Sequence, residues 1–277
     1  MDAVLRYQFQ KSMDVAGYLA SIFIGVALGL IGGGGSILTV PVLVYLFSVD
    51  AVLATSYSLF IAGTTSVVGS FSYFKKGLVN IKTAIVFGIP SIAAVFLTRA
   101  FIVSAIPQEI FSIENFTITK NILLMLLFAV LMIFASCKMI KKCNGCNEDE
   151  KQIQKLNYPV SFLQGTFVGL VTGLIGAGGG FLIIPALVNL LKLPMKIAVG
   201  TSLLIISINS LAGFSFSLHH TIINWKFLLI LSSISIVGIL IGSSFSKKID
   251  GSKLKPAFGW FVLVMGIYII IKETLLK

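Results

Sequence analysis

Charged side chains are what this chain has least of. Asp, Glu, Lys and Arg together make up 11% of its 277 residues, against about 25% in a soluble domain that must solvate its whole surface. That shortage excludes an ordinary water-soluble fold, and a mean hydropathy of +1.01 agrees. Acidic residues are scarcer than basic ones, 10 against 21, which leaves a net charge of +11. The Lys and Arg residues sit in short connections between apolar runs. They read as cytoplasmic anchors of a membrane protein, not as a nucleic-acid face.

Metal and redox ligands are also few. The only histidines are His219 and His220, and the cysteines are Cys137, Cys143 and Cys146. Cys143-Asn-Gly-Cys146 has the spacing of a metal or redox pair but lacks a second pair of ligands. Incidental, reduced cytosolic thiols are expected, with no metal site and no cofactor. No charged residue falls in the middle of an apolar run; Arg99 is at the end of one, and Asp14, Asp50 and Asp250 flank others. Neither a carboxylate proton relay nor a buried cation is expected. Gly32–Ser36 lacks the Gly-Lys-Ser/Thr ending of a P-loop, and Gly176–Phe181 lacks the last glycine of a dinucleotide fingerprint. No nucleophile has a buried base beside it, so the chain does not read as an enzyme.

Apolar runs, by contrast, are abundant. Eight recur, at 15–47, 51–74, 83–98, 121–139, 159–191, 197–218, 227–245 and 256–271. A span needs about 20 residues to cross about 30 Å of hydrocarbon. The expected fold class is an all-α polytopic membrane protein with eight hydrophobic segments, in the plasma membrane, its first run an uncleaved anchor.

Two of these runs are copies. Positions 25–46 and 169–190 share 12 of 22 residues without a gap, at an offset of 144. At the same offset 54–59 aligns with 198–203, Asn80-Ile-Lys82 with Asn224-Trp-Lys226, and Gly69 with Gly213. The polar stretch around 141–158 separates the copies. The chain thus divides into a first repeat (1–140), a cytoplasmic linker (141–158) and a second repeat (159–277). Each repeat is one glycine-broken segment followed by three unbroken ones.

Two arrangements of the broken segment are open. If it crosses once, the repeats are parallel; if it dips in and returns, they are inverted. Inversion is favoured, because 33 residues make about 50 Å of helix, too long for one crossing. Corresponding connections also differ in charge as opposite sides of a membrane require. Ser48-Val-Asp50 matches the lysine-bearing 192–196, Lys75-Lys76 matches His219-His220, and the nearly neutral 99–120 matches the lysine-rich 247–255. The termini are then outside, and 75–82, 141–157, 192–196 and 247–255 inside.

Contiguous glycines mark the site. Each loses about 1 kcal/mol of helix relative to alanine, so Gly32–Gly35 should interrupt the helix, with Gly178-Gly179-Gly180 doing so in the second copy. A helix resuming at Ser36 would expose N–H groups and a positive dipole end within the membrane, where they bind anions. Pro41 and Pro185, six positions after Gly35 and Gly179, should keep the following helix short. Gly32, Gly34, Gly35, Ser36, Gly176, Gly178, Gly179 and Gly180 are the expected substrate ligands. Thr55, Ser56, Ser58, Thr201, Ser202 and Asn209 add side-chain groups from the next segments. Gly25, Gly29, Gly69, Gly169, Gly173 and Gly213 instead read as positions of close helix packing.

Gly29-Leu-Ile-Gly-Gly-Gly-Gly-Ser-Ile-Leu-Thr-Val-Pro41 resembles the first-half signature of the TauE/SafE (sulfite exporter, TSUP) family of membrane transporters. Gly173-Leu-Ile-Gly-Ala-Gly-Gly-Gly-Phe-Leu-Ile-Ile-Pro185, followed by Ala198-Val-Gly-Thr-Ser202, resembles the second. The resemblance covers 15–271 and implies transport, commonly export, of sulfite, sulfonates or other small anions. The expected partners are therefore a small anionic substrate and the lipid bilayer. A non-transporting membrane scaffold and a passive channel are the alternatives; deep breaks in the helices speak against a scaffold.

Overall fold

A computed structural model describes residues 2–275 apart from 104, 108, 114–115, 141–157, 177, 190, 192, 219–222 and 246–250. Linker residues 141–157, with Cys143 and Cys146, and His219 and His220 lie outside the described residues. The described chain is helical almost throughout. α1 (Asp2–Ile31) is followed by a 3-10 stretch (Gly33–Leu38) that leads into α2 (Thr39–Tyr45). Next come α3 (Ala51–Lys75) and α4 (Ile81–Leu97), which continues as a π-helical stretch over Thr98–Val103. α5 (Lys120–Ile140), α6 (Tyr158–Ile175), α7 (Gly180–Asn189), α8 (Met195–Ser217), α9 (Trp225–Phe245) and α10 (Gly251–Leu275) complete the order. Each glycine-rich run is thus divided between two helices. One departure from an all-α chain lies between α4 and α5. There β1 (Glu109–Ile113) and β2 (Phe116–Thr119) form an antiparallel hairpin with Ile113 paired to Phe116 and a bulge between Glu109 and Phe111. Phe111, Ile113, Phe116 and Ile118 make this short stretch β-prone.

Ala51–Lys75, Ile81–Val103, Met195–Ser217 and Trp225–Phe245 are each long and apolar enough to cross a membrane. The distribution of polarity is that of a protein in lipid. Leu163 is 72% and Phe101 67% exposed, whereas Ser58, Thr201, Asn209 and Ser210 are fully buried. Hydrocarbon solvates the former, and hydroxyls and amides turn inward to find partners.

Helix pairing carries the sequence repeat into three dimensions. α1 packs on α9 and α6 on α4; α3 packs on α9 and α8 on α4; α3 packs on α8 and α5 on α10. Exchanging helices that lie 144 residues apart turns this set of pairs into itself. Small residues make the seams. Gly25 faces the Ser235 carbonyl and Gly238, and Gly169 faces the Ser91 carbonyl at the corresponding place. α1 and α9 run in the same direction, since Gly25 lies level with Gly238 and Gly29 with Gly242. α3 and α8 run in opposite directions, since Gly69 meets Leu203, Gly63 meets Leu211 and Leu59 meets Gly213.

The helix starts repeat as well. Asn80 Oδ1 accepts from Thr83 N at 3.1 Å and Asn224 Oδ1 from Phe227 N at 3.2 Å, capping α4 and α9. Asp50 caps α3 through Val52 N at 2.9 Å.

Candidate functional site

Only Gly32 breaks the first run, with φ 77° and ψ −139°, a conformation open to glycine and costly to other residues. The helix resumes at once, as the 3-10 stretch beginning at Gly33, and not at Ser36 as expected. Gly34 lies within that stretch. The chain then folds back on itself. Gly35 lies flat on α1, where a methyl would sit 2.5 Å from Leu28 N and 2.8 Å from Ile24 O. Farther along, Phe47 stacks edge-on against Tyr18 at 5.5 Å between ring centroids. Gly35 therefore serves the fold-back. Ser36 is buried and donates to Gly33 O at 2.8 Å.

The second break is longer. Gly176, Gly178 and Gly179 all have left-handed φ, at 70°, 68° and 66°, and α7 starts at Gly180. The two breaks cross where Gly180 and Gly33 meet backbone to backbone. Beside this crossing, Gly178 faces Ala62 and Ile206, and Gly33 faces Ile206. Ala62 and Ile206 are near the middles of α3 and α8, so the crossing is at mid-height of the bundle. Pro41 and Pro185 fall within α2 and α7, which span seven and ten residues.

Several expected ligands gather at the breaks. A methyl at Gly178 would lie 3.1 Å from Ser210 Oγ, and one at Gly32 would lie 3.1 Å from Ser202 Oγ. Thr55 abuts Gly176. Thr55 donates to Val52 O at 2.7 Å and Ser202 to Val199 O at 2.8 Å, which leaves their lone pairs free to accept. Ser58 is buried with no hydrogen-bond partner among the described residues. Thr201 is committed elsewhere: its hydroxyl accepts from Asn80 N at 2.9 Å, as Tyr57 Oη accepts from Asn224 N at 2.8 Å. Asn209 donates to Ser91 Oγ at 2.6 Å, and its Oδ1 has no partner among the described residues.

The structure corrects the expectation of no buried cation. Arg99 is only 5% exposed. Its Nη1 donates to Ser217 Oγ at 2.9 Å and to Ser56 Oγ at 3.2 Å. Nη2 lies 2.6 Å from where a Cβ on Gly176 would be. Phe96, Leu97, Phe101 and Ile102 around it face outward, and lipid on that side directs the guanidinium inward. The available signal was the apolar Ala-Phe-Ile-Val103 beyond Arg99, which places it inside the run and not at its end. The internal repeat was no guide, because position 243 is serine. Thr172, whose Oγ1 abuts Gly179, was missed as well; like Ser210 it is buried without a partner among the described residues.

No group of three or more His, Cys, Asp or Glu that could hold a metal occurs among the described residues. A groove of about 460 Å³ lined by Ile85, Val86, Ile89, Pro90, Pro159 and Phe162 has no polar ligand to offer.

Apolar helices with an outward hydrophobic surface, enclosing glycine-broken segments that meet at mid-height, define a multi-pass membrane transporter. Comparison with known proteins gives the family. The model of the family described as "Sulfite exporter TauE/SafE" matches residues 18–269, and the chain belongs to that family. A "Probable membrane transporter protein" of Xylella fastidiosa is 29% identical over 251 residues, covering 89% of this chain and 91% of its own. The "Probable membrane transporter protein YunE" of Bacillus subtilis is 27% identical over 263 residues, covering 89% and 93%. An archaeal "Probable membrane transporter protein" from Methanocaldococcus jannaschii is 26% identical over 271 residues, covering 91% and 94%. These are names of transporters, not of enzymes. No solved structure gives a significant match.

Proposed function

We propose that the protein is a plasma-membrane carrier that exports a small anion, such as sulfite, a sulfonate or a related organic anion. Alternating access turns on the two glycine breaks. One observation carries this reading. Three left-handed glycines open onto the start of α7, with the buried hydroxyls of Thr172 and Ser210, unpartnered among the described residues, against them. Backbone N–H groups, a helix N-terminus and hydroxyls supply donors for an anion in a medium that offers no water. The name of the family supports sulfite and the outward direction.

We further propose that the repeats, 1–140 and 159–277, are inverted, with 141–158 as cytoplasmic linker and both breaks re-entrant. Opposed directions in the equivalent helices α3 and α8 support this, because a twofold axis along the membrane normal would leave equivalent helices parallel. The fold-back of Gly35 onto α1 supports re-entry.

The functional test is flux in proteoliposomes with sulfite, sulfate, sulfoacetate, taurine and simple carboxylates, with and without a pH gradient. Saturable flux of at least one anion, accelerated by the same anion on the opposite side, is the expected result. Linear flux without countertransport would mean a channel, and no flux of any anion a scaffold. For topology, single cysteines at Asn144 and Ser112 should be labelled from opposite sides; labelling from one side would overturn the inverted arrangement.

A further inference from the structure

The outer face of the bundle carries an opening between α4 and α6. Gly165 lies against the Phe87 carbonyl and Pro90, and Gly169 against the Ser91 carbonyl, so the two helices touch along that stretch. N-terminal to Gly165 the contact gives way. There Pro159 and Phe162 of α6 stand apart from Ile85, Val86, Ile89 and Pro90 of α4, leaving the groove of about 460 Å³. The internal repeat explains part of this opening. In the first copy Phe47 packs edge-on against Tyr18. Leucine stands at the corresponding position 191, and Phe162, the counterpart of Tyr18, is 60% exposed.

We propose that this groove holds an acyl chain of one anionic phospholipid, with its phosphate at Lys82. The apolar lining fits hydrocarbon and offers nothing to a polar ligand. Lys82 is exposed and precedes Ile85, Val86 and Ile89 by three, four and seven residues, which puts it on their face of α4. Its stem can follow the apolar wall while the ammonium group stays at headgroup level. An acyl chain in the groove and a phosphate on Lys82 are therefore two ends of one ligand.

The direction of the helices favours a negative headgroup. α4 and α6 run in parallel, since Gly165 meets Phe87 and Gly173 meets Thr98. α4 and α8 do too, since Asn209 meets Ser91 and Gly213 meets Val95. The positive ends of three helices thus lie at the Lys82 end, and none of the three has an acidic residue in its first turn. Lys196, exposed at the start of α8, adds to the same field. A phosphodiester is attracted by all of these, whereas a zwitterionic lipid brings a cation of its own. A second copy of the chain suits the face less well. A twofold axis along the membrane normal would turn Lys82 toward Lys82 with no opposite charge between them.

The test is native mass spectrometry and lipid-induced thermal stabilisation of the full chain in detergent, comparing phosphatidylglycerol with phosphatidylcholine of the same chains. The proposal does not depend on what the protein carries. Wild-type protein should retain one phosphatidylglycerol per chain and bind it about fivefold or more tightly than phosphatidylcholine. Lys82→Gln should remove that preference and leave phosphatidylcholine binding within about twofold. Ile89→Trp, which fills the groove from its lipid-facing side, should weaken both lipids at least about tenfold. Val237→Trp, equally lipid-facing but on α9, should change neither. Equal retention of the two lipids by wild-type protein would mean general solvation by hydrocarbon and would overturn the proposal. Wild-type phosphatidylglycerol binding in Ile89→Trp would show that the groove is not the site. Loss of a dimer in Ile89→Trp, with no lipid retained by wild-type protein, would assign the groove to a second copy instead. Should Lys82→Gln not fold, salt decides with wild-type protein. At about 1 M, where screening acts within about 3 Å, the preference for phosphatidylglycerol should vanish, and its persistence would overturn the role of Lys82.

Discussion

Replacing Gly180 by valine should abolish transport. A Cβ at Gly180 would fall on Gly33, 2.5 Å from its carbonyl oxygen and 2.6 Å from its carbonyl carbon, and a Cβ at Gly33 would fall on Gly180 in the same way. Both obstacles are backbone, so no rotamer change relieves them. The breaks must separate, which parts the second break from Ala62 and Ile206 and opens the middle of the bundle. Overpacking of this kind costs about 1–3 kcal/mol or more. A displacement of about 1 Å at a site that positions ligands can cost about a hundredfold in rate. Counterflow in proteoliposomes reads the loss, and size-exclusion behaviour in detergent shows whether the protein still assembles. Gly88→Ala is the matched comparison. A Cβ there has no neighbour within 4 Å, so it should retain wild-type flux and gain slightly in helix stability. Normal flux in Gly180→Val would mean that the crossing does not take part in transport.

The second large effect belongs to the seams between the repeats. Gly25→Leu should leave little folded protein after mild heating in detergent, and Gly169→Leu should behave alike. A Cβ at Gly25 would strike the Ser235 carbonyl and come within 2.9 Å of Gly238 Cα; one at Gly169 would strike the Ser91 carbonyl and come within 2.9 Å of Ser91 Cα. Helices in lipid gain little from burying apolar surface and depend on close backbone approach. A leucine therefore removes the contact that joins α1 to α9 or α6 to α4. Thermal survival by fluorescence-detected chromatography measures this. Tolerance at one position and collapse at the other would show that the two seams do not bear equal loads.

The seam glycines were legible in sequence, since Gly25, Gly29, Gly169 and Gly173 occur at intervals of four in apolar helix and serve close approach. Local chemistry decides such positions. The role of Gly35 was not legible. In a row of four glycines, nothing local distinguishes the one that breaks the helix from those that pack. Gly32 alone takes a left-handed φ there, and Gly35 owes its place to α1 folding against it. Thr201 likewise looked like Ser202 beside it. Helical phase sends one hydroxyl to Asn80 and leaves the other near Gly32.

The sequence by itself determined the membrane environment, the glycine-rich stretches in which the helices break and the repeat, because these follow from composition, local propensity and self-similarity. Tertiary structure alone decided that the breaks touch at Gly33 and Gly180, and that α3 and α8 oppose one another. It also decided that Arg99 turns inward onto Gly176. Residues 77 positions apart meet there because α4 packs on α6, and a side chain's direction at a membrane edge depends on whether lipid or protein lies beside it.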